Sequence, residues 1–123
     1  MALMNLRKQY GDKGEQLVAR FLEADGFHIL AHNYTRRTGE VDLIAERGEL
    51  IVFVEVKART QSFFDLTEVI SRSKQRRIIT AAKGFILAYA AYERVYRFDV
   101  ALIENLESET ITYIPNAFTE PEY

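Results

Sequence analysis

The stretch Leu50 to Ala58, Leu-Ile-Val-Phe-Val-Glu-Val-Lys-Ala, constrains the fold of this chain more than any other segment. Successive side chains of a strand point to opposite faces, so Ile51 and Phe53 line one face and Val52, Val54 and Val56 the other. A strand that is apolar on both faces is a central strand covered from both sides. It predicts a sheet with helices packed on each face. The same strand carries Glu55 and Lys57 near its end, and charges in such a place are costly to bury unless something compensates them.

Val41 to Ala45 reads as a second strand, joined to the first through a turn at Arg47-Gly48. A turn centred there sets Glu40 opposite Glu55, and Asp42 opposite Phe53, one diagonal step from Glu55. Asp42, Glu55 and Lys57 share a parity and can converge at one end of the sheet. Further along the chain, Gly14 to about Ala24 reads as a helix with Leu17, Val18, Phe21 and Leu22 in one stripe, ended by Gly26. Phe27 to Leu30 is a short strand, and Asn33 to Gly39 a polar, basic link. Thr60 to Leu66 reads as a loop, Arg72 to Tyr92 as a helix, and Val95 to Ile103 and Thr110 to Ile114 as the last strands. The order α-β-β-β-α-β-β gives an α/β fold, a mixed β-sheet flanked by helices, in a single domain of residues 1–123.

With no cysteine in the chain, disulfides and thiolate zinc sites are excluded. That composition fits a cytoplasmic location. The start, Met-Ala-Leu-Met-Asn-Leu-Arg-Lys, lacks the apolar core of a signal peptide. The most apolar run, residues 78–92, is too short to span a bilayer and contains Lys83, so no membrane partner is expected. The net charge of −2 argues against a generic polyanion binder. Its distribution is uneven, however. Residues 1–83 hold 14 Lys/Arg against 11 Asp/Glu, and residues 84–123 hold 2 against 7. A local basic face fits a phosphate partner, although solvated charge accounts for the same count.

Two neighbouring carboxylates repel as bare anions, and a hard divalent cation turns them into a stable arrangement. Asp42 and Glu55 are therefore candidate ligands for Mg²⁺ or Mn²⁺, with the backbone carbonyl of Val56 as a third donor. Lys57 beside them can orient a nucleophile or offset charge on a phosphate. The set suits phosphodiester hydrolysis. It does not suit acyl transfer, because no serine or cysteine is placed beside a histidine. The plain alternative is an ion pair between Glu55 and Lys57 on a strand emerging into solvent.

Arg36 and Arg37, with Tyr34 close by, suit phosphate contact and base stacking. Arg59, Lys74, Arg76 and Arg77 read the same way. Glu40 is a supporting acid or a turn residue. Glu15 lies near a helix N-terminus, where an acid is favourable in any case. Asp99 reads as the partner of an arginine or of the sheet edge. His28 and His32 are four apart, but in a strand and turn, which is not a zinc-protease helix.

Several strings together resemble one family. They are Gly-Glu-x₃-Ala at 14–19, Gly-Glu-Val-Asp-Leu-Ile-Ala at 39–45, Val-Phe-Val-Glu-Val-Lys-x-Arg at 52–59, Lys-Gln-Arg-Arg at 74–77, Arg-Phe-Asp-Val at 97–100 and Ile-Pro-Asn-Ala-Phe at 114–118. Nearly the whole chain is similar to the YraN family of small bacterial proteins. That family in turn resembles the restriction-endonuclease-like superfamily, with the archaeal Holliday-junction resolvases among its nearer relatives. The resemblance implies a nuclease core with Glu15 as a helix-borne acid, Asp42 and Glu55 as sheet ligands, Lys57 as the catalytic lysine and Gln75 as a polar support on the following helix. The usual proline before the first acid is absent, and Val41 stands there. A loop glycine is replaced by Phe63-Phe64, a wedge or dimer contact if not simple packing.

The expected function is a Mg²⁺-dependent endonuclease that hydrolyses DNA, with branched DNA as one candidate substrate and a homodimer as one candidate state. The alternatives are a non-catalytic nucleic-acid-binding module of the same fold, or an interaction domain that uses its acidic C-terminal segment.

Overall fold

The structure, a computed structural model, describes residues 2–58, 69–89, 91, 93–105 and 107–121, with side chains from residue 13 onward. Helix α1 spans Ala2–Ala24. Strands β1 (His28–Arg36), β2 (Gly39–Arg47) and β3 (Leu50–Ala58) follow. Helix α2 (Arg72–Ala88) leads to β4 (Val95–Asn105) and β5 (Thr110–Phe118). The five strands form one sheet in the order β1-β2-β3-β4-β5. Only β3 and β4 run parallel, with α2 in the crossover between them, and the other neighbours are antiparallel. This is the mixed α/β sheet flanked by helices that the sequence predicts, consistent with a restriction-endonuclease-like core.

β3 is the central strand because it is apolar on both faces. Val52 and Val54 pack with Leu17, Val18 and Leu22 of α1. Ile51 and Phe53 pack with Ile78, Ile79, Ala82 and Phe85 of α2. Burying whole side chains of this kind contributes about 1.5–3 kcal/mol each before chain entropy is counted.

Several boundaries differ from the sequence expectation. β1 runs on to Arg36 through the polar segment expected to be a link. As an edge strand it is mostly exposed, and it needs only backbone pairing to β2 on one side. The turn between β2 and β3 is Gly48-Glu49, not Arg47-Gly48, and Arg47 pairs with Leu50. Gly48, at φ 60, takes the first central position, where a primed hairpin turn wants glycine. α1 starts well before Gly14, and α2 ends at Ala88, short of Tyr92. Residues 60–66, expected as a loop, lie outside the described residues together with Arg59 and Phe63-Phe64.

Two close approaches fix how the layers sit. A Cβ on Gly39 would lie 1.9 Å from the Arg77 carbonyl oxygen, so the start of β2 rests directly on the backbone of α2. A Cβ on Gly14 would meet Ile103 Cδ1 at 2.5 Å, which brings α1 down close to β4. At the other edge, buried Asp99 accepts from Arg97 Nε at 2.8 Å, Arg97 Nη2 at 2.9 Å, the Tyr113 hydroxyl and the Asn116 amide at 2.8 Å. The expected arginine and sheet-edge partners are both present. The Arg-Phe-Asp-Val and Ile-Pro-Asn-Ala-Phe strings are thus two halves of one structural clasp between β4 and β5.

Candidate active site

The β2–β3 ladder is regular from Arg47↔Leu50 to Leu43↔Val54. One step further, the same register sets Asp42 opposite Glu55. The turn slides the pairing by two residues relative to expectation, and a slide of two preserves which face each residue occupies. The strand changes at this point. Leu43 packs on the α1 side, whereas Val41 packs on the α2 side, so alternation breaks across Asp42. Where β2 leaves the ladder, the Asp42 carboxylate replaces its backbone. Asp42 Oδ2 accepts the Val56 amide at 2.8 Å.

Asp42 and Glu55 are hydrogen-bonded to each other, and burial pushes both above the usual carboxylate range. Glu55 is 7% exposed. Burial first, then the Asp42 charge, hold its pKa at about 8. For Asp42 the Val56 amide works in the opposite direction and favours the ionised form. Burial and the closeness of the two acids therefore favour retention of a proton by the pair. Glu40 raises both groups by its charge, which places it in the electrostatic surroundings of the pair. Lys74 Nζ lies 3.6 Å from Glu55 Oε1, but with 42% of its side chain exposed it offsets only part of the cost.

Lys74 reaches Glu55 because α2 begins here. Ser71 caps the helix by accepting the Lys74 amide at 3.1 Å. Expected as a phosphate contact, Lys74 is the cation nearest the acids among the described ion pairs. Lys57 follows Glu55 by two on β3 and is exposed. Gln75 donates its side-chain amide to the Ile70 carbonyl at 3.1 Å, so that part of it supports the helix start. Glu15 accepts from Asn33 Nδ2 at 2.9 Å. Asn33 lies on β1 between His32 and Tyr34, whose partners Leu43 and Val41 flank Asp42, so Glu15 is held one strand away. No sequence signal pointed to Asn33. Its φ of 49, which asparagine tolerates better than most residues, is the feature that marks it.

Arg76 and Arg77 are exposed on α2, and Arg37 is exposed in the β1–β2 turn. Arg36 donates to the Tyr34 hydroxyl at 2.6 Å and lies 5.1 Å from the centre of that ring. His28 and His32 are both exposed on β1.

The donor set fits a hard divalent cation. It consists of two carboxylate groups in contact and the Val56 carbonyl, which points to the same side as the Val56 amide, past the last β2–β3 pair. Among the described residues no group of three or more His, Asp or Glu side chains is assembled. The protein would thus supply two carboxylates and leave the remaining positions open, as Mg²⁺ commonly requires. No described helix is long and apolar enough to cross a membrane.

The family model described as Uncharacterised protein family UPF0102 matches residues 14–103, a span that includes Glu15, Asp42, Glu55, Lys57 and Lys74. A UPF0102 protein of Myxococcus xanthus is 41% identical over 114 residues, covering 91% of this chain and 90% of that protein. Another from Desulfosudis oleivorans is 38% identical over 117 residues, covering 94% of both. A third, from Clostridium perfringens, is 41% identical over 115 residues, covering 90% of this chain and 94% of its own length. The chain belongs to UPF0102, the YraN family that its motifs resemble.

Proposed function

We propose that this protein is a Mg²⁺- or Mn²⁺-dependent endonuclease that hydrolyses DNA phosphodiesters, with branched DNA as a candidate substrate. The observation that carries the reading is the Asp42–Glu55 contact. A fold gains no stability from burying two carboxylates against each other, and perturbed, paired acids of this kind cluster at functional sites. Asp42, Glu55 and the Val56 carbonyl would hold the ion, which would supply Lewis-acid stabilisation of phosphate charge. The Val56 amide fixes the Asp42 carboxylate in place. Lys74 offsets the charge that appears when Glu55 gives up its proton. Lys57, on the same strand face as Glu55, orients the attacking water and balances charge developing on the phosphate. Arg36, Arg37, Arg76 and Arg77 supply the phosphate path, and Glu40 tunes the acids from the side.

The test is cleavage of a four-way junction and of a matched linear duplex with Mg²⁺ or Mn²⁺. The nuclease reading requires wild-type cutting that Asp42→Asn and Lys57→Ala both abolish. Binding with a steep salt dependence but no cutting transfers the assignment to a non-catalytic nucleic-acid-binding module. Neither cutting nor binding leaves the protein-interaction reading.

A further inference from the structure

Between β1 and the C-terminal end of α2, on the face that carries Ile51, lies a cavity of about 280 Å³. Tyr34, Phe85 and Tyr89 form its aromatic wall, and Glu46 and Arg94 its polar part. The rings form one series. Phe85 and Tyr89 have centroids 4.8 Å apart, and Tyr34 meets Phe85 edge-on at 5.4 Å. Tyr89 is 65% exposed at the helix C-cap, so its ring presents open aromatic surface. Arg94 is occupied by the Gly48 and Glu49 carbonyls, and lies 3.7 Å from Glu46.

This cavity adjoins a cationic groove. Tyr34 lines the cavity, and Arg36, 5.1 Å from the centre of its ring, lines the groove with Arg37 and Lys83. Where the two meet, α2 presents Gly84, whose missing Cβ would be 3.5 Å from Arg36 Nε, next to Phe85. Lys83 is partly countered by an ion pair with Glu120, so the two arginines carry most of the positive charge.

We propose that this aromatic cavity receives one unpaired nucleobase of a nucleic acid strand while the adjoining phosphate lies on Arg36 and Arg37. The proposal rests on the nucleic-acid reading above and adds the substrate class: strands with at least one base out of the stack. Three features select this occupant. The volume falls below the range that drug-sized ligands fill, so it suits a single ring system and not a peptide segment. An aromatic wall beside a cationic groove matches a ligand that joins a flat ring to an anion, the arrangement by which single strands are held. Glu46 offers a carboxylate that can accept from an exocyclic amino group, as carboxylates do from cytosine.

The experiment is fluorescence anisotropy of the full chain with labelled dC and dT decamers, an abasic decamer of equal length and a linear duplex. Wild type is compared with Tyr89→Ala and Tyr89→Phe, each checked by its melting curve. Tyr89 is exposed, so its removal leaves the core intact. Stacking predicts that Tyr89→Ala weakens binding to the dC decamer by roughly 5- to 150-fold, the range for one base deprived of its aromatic platform. Abasic binding should stay unchanged, Tyr89→Phe should bind as wild type does, and wild type should prefer dC to dT. Equal weakening on based and abasic strands, or none on either, overturns the proposal. So does self-association of the wild type that Tyr89→Ala abolishes, since the cavity would then be a protein contact. If the duplex is bound and cut while Tyr89→Ala changes nothing, the base cavity alone fails and the nuclease reading stands. If wild type binds no nucleic acid, both fail together.

Discussion

Removing the charge of Glu55 while keeping its shape should make the metal-free protein more stable, and only at higher pH. In the fold, burial and Asp42 raise the Glu55 pKa from 4.5 to about 8. When the folded state binds its proton more tightly than the unfolded state, stability is greatest below the unfolded pKa and falls as pH rises through the window between the two values. For Glu55 that window runs from about pH 4.5 to about pH 8. The loss between pH 5 and pH 8 is therefore on the order of a few kcal/mol. Glu55→Gln removes this loss, and its amide can donate to Asp42 as the protonated acid does. For a chain of this length about 4 °C accompanies each kcal/mol, so the variant should melt on the order of 10 °C above wild type at pH 8 and close to it at pH 5. Thermal unfolding across pH 5–8 without divalent cations reads the difference. Adding Mn²⁺ at pH 8 should narrow the gap by stabilising the wild type. A variant less stable than wild type at every pH would refute the reasoning, because Glu55 would then be an ionised structural partner of Lys74.

Other expectations follow from the same geometry. Asp42→Asn should abolish the calorimetric signal for Mn²⁺, and an unchanged affinity would remove the ligand assignment. Lys57→Ala should eliminate cleavage while leaving DNA affinity within a few-fold, whereas neutralising Arg36 and Arg37 together should weaken binding to every sequence and lower the salt slope by about one unit for each phosphate no longer neutralised. Gly39→Ala has no room against the Arg77 carbonyl and should destabilise by about 1–3 kcal/mol or more, read as a lower denaturant midpoint; a neutral result would mean that β2 and α2 separate easily. Asp99→Asn leaves Arg97 without its buried counter-charge and should cost about 3 kcal/mol in chemical denaturation, with nuclease and metal readouts changed only through folding.

The sequence alone determined the layered fold and the neighbouring strands that carry the acids. Apolar residues on both sides of β3 demand cover from two helices, and the period-two alternation keeps Glu55 and Lys57 on one parity. The central strand and the second helix start where the pattern puts them. The long polar edge strand was not legible, because Asn33 to Arg36 carry no strand pattern and are held there by pairing with β2. The place of Gly48 in its turn was likewise open, since either register satisfies the core. The state of the site belongs wholly to the tertiary structure. Desolvation of Glu55 and the Val56 amide on Asp42 depend on how far β2 peels from β3 and on what buries the gap. Lys74, far along the chain from both sheet acids, reaches Glu55 only because Gly39 lets α2 rest on the start of β2. Side-chain parity is a local property that a sequence carries. The dielectric around a carboxylate, and which distant cation enters it, are set by packing between elements.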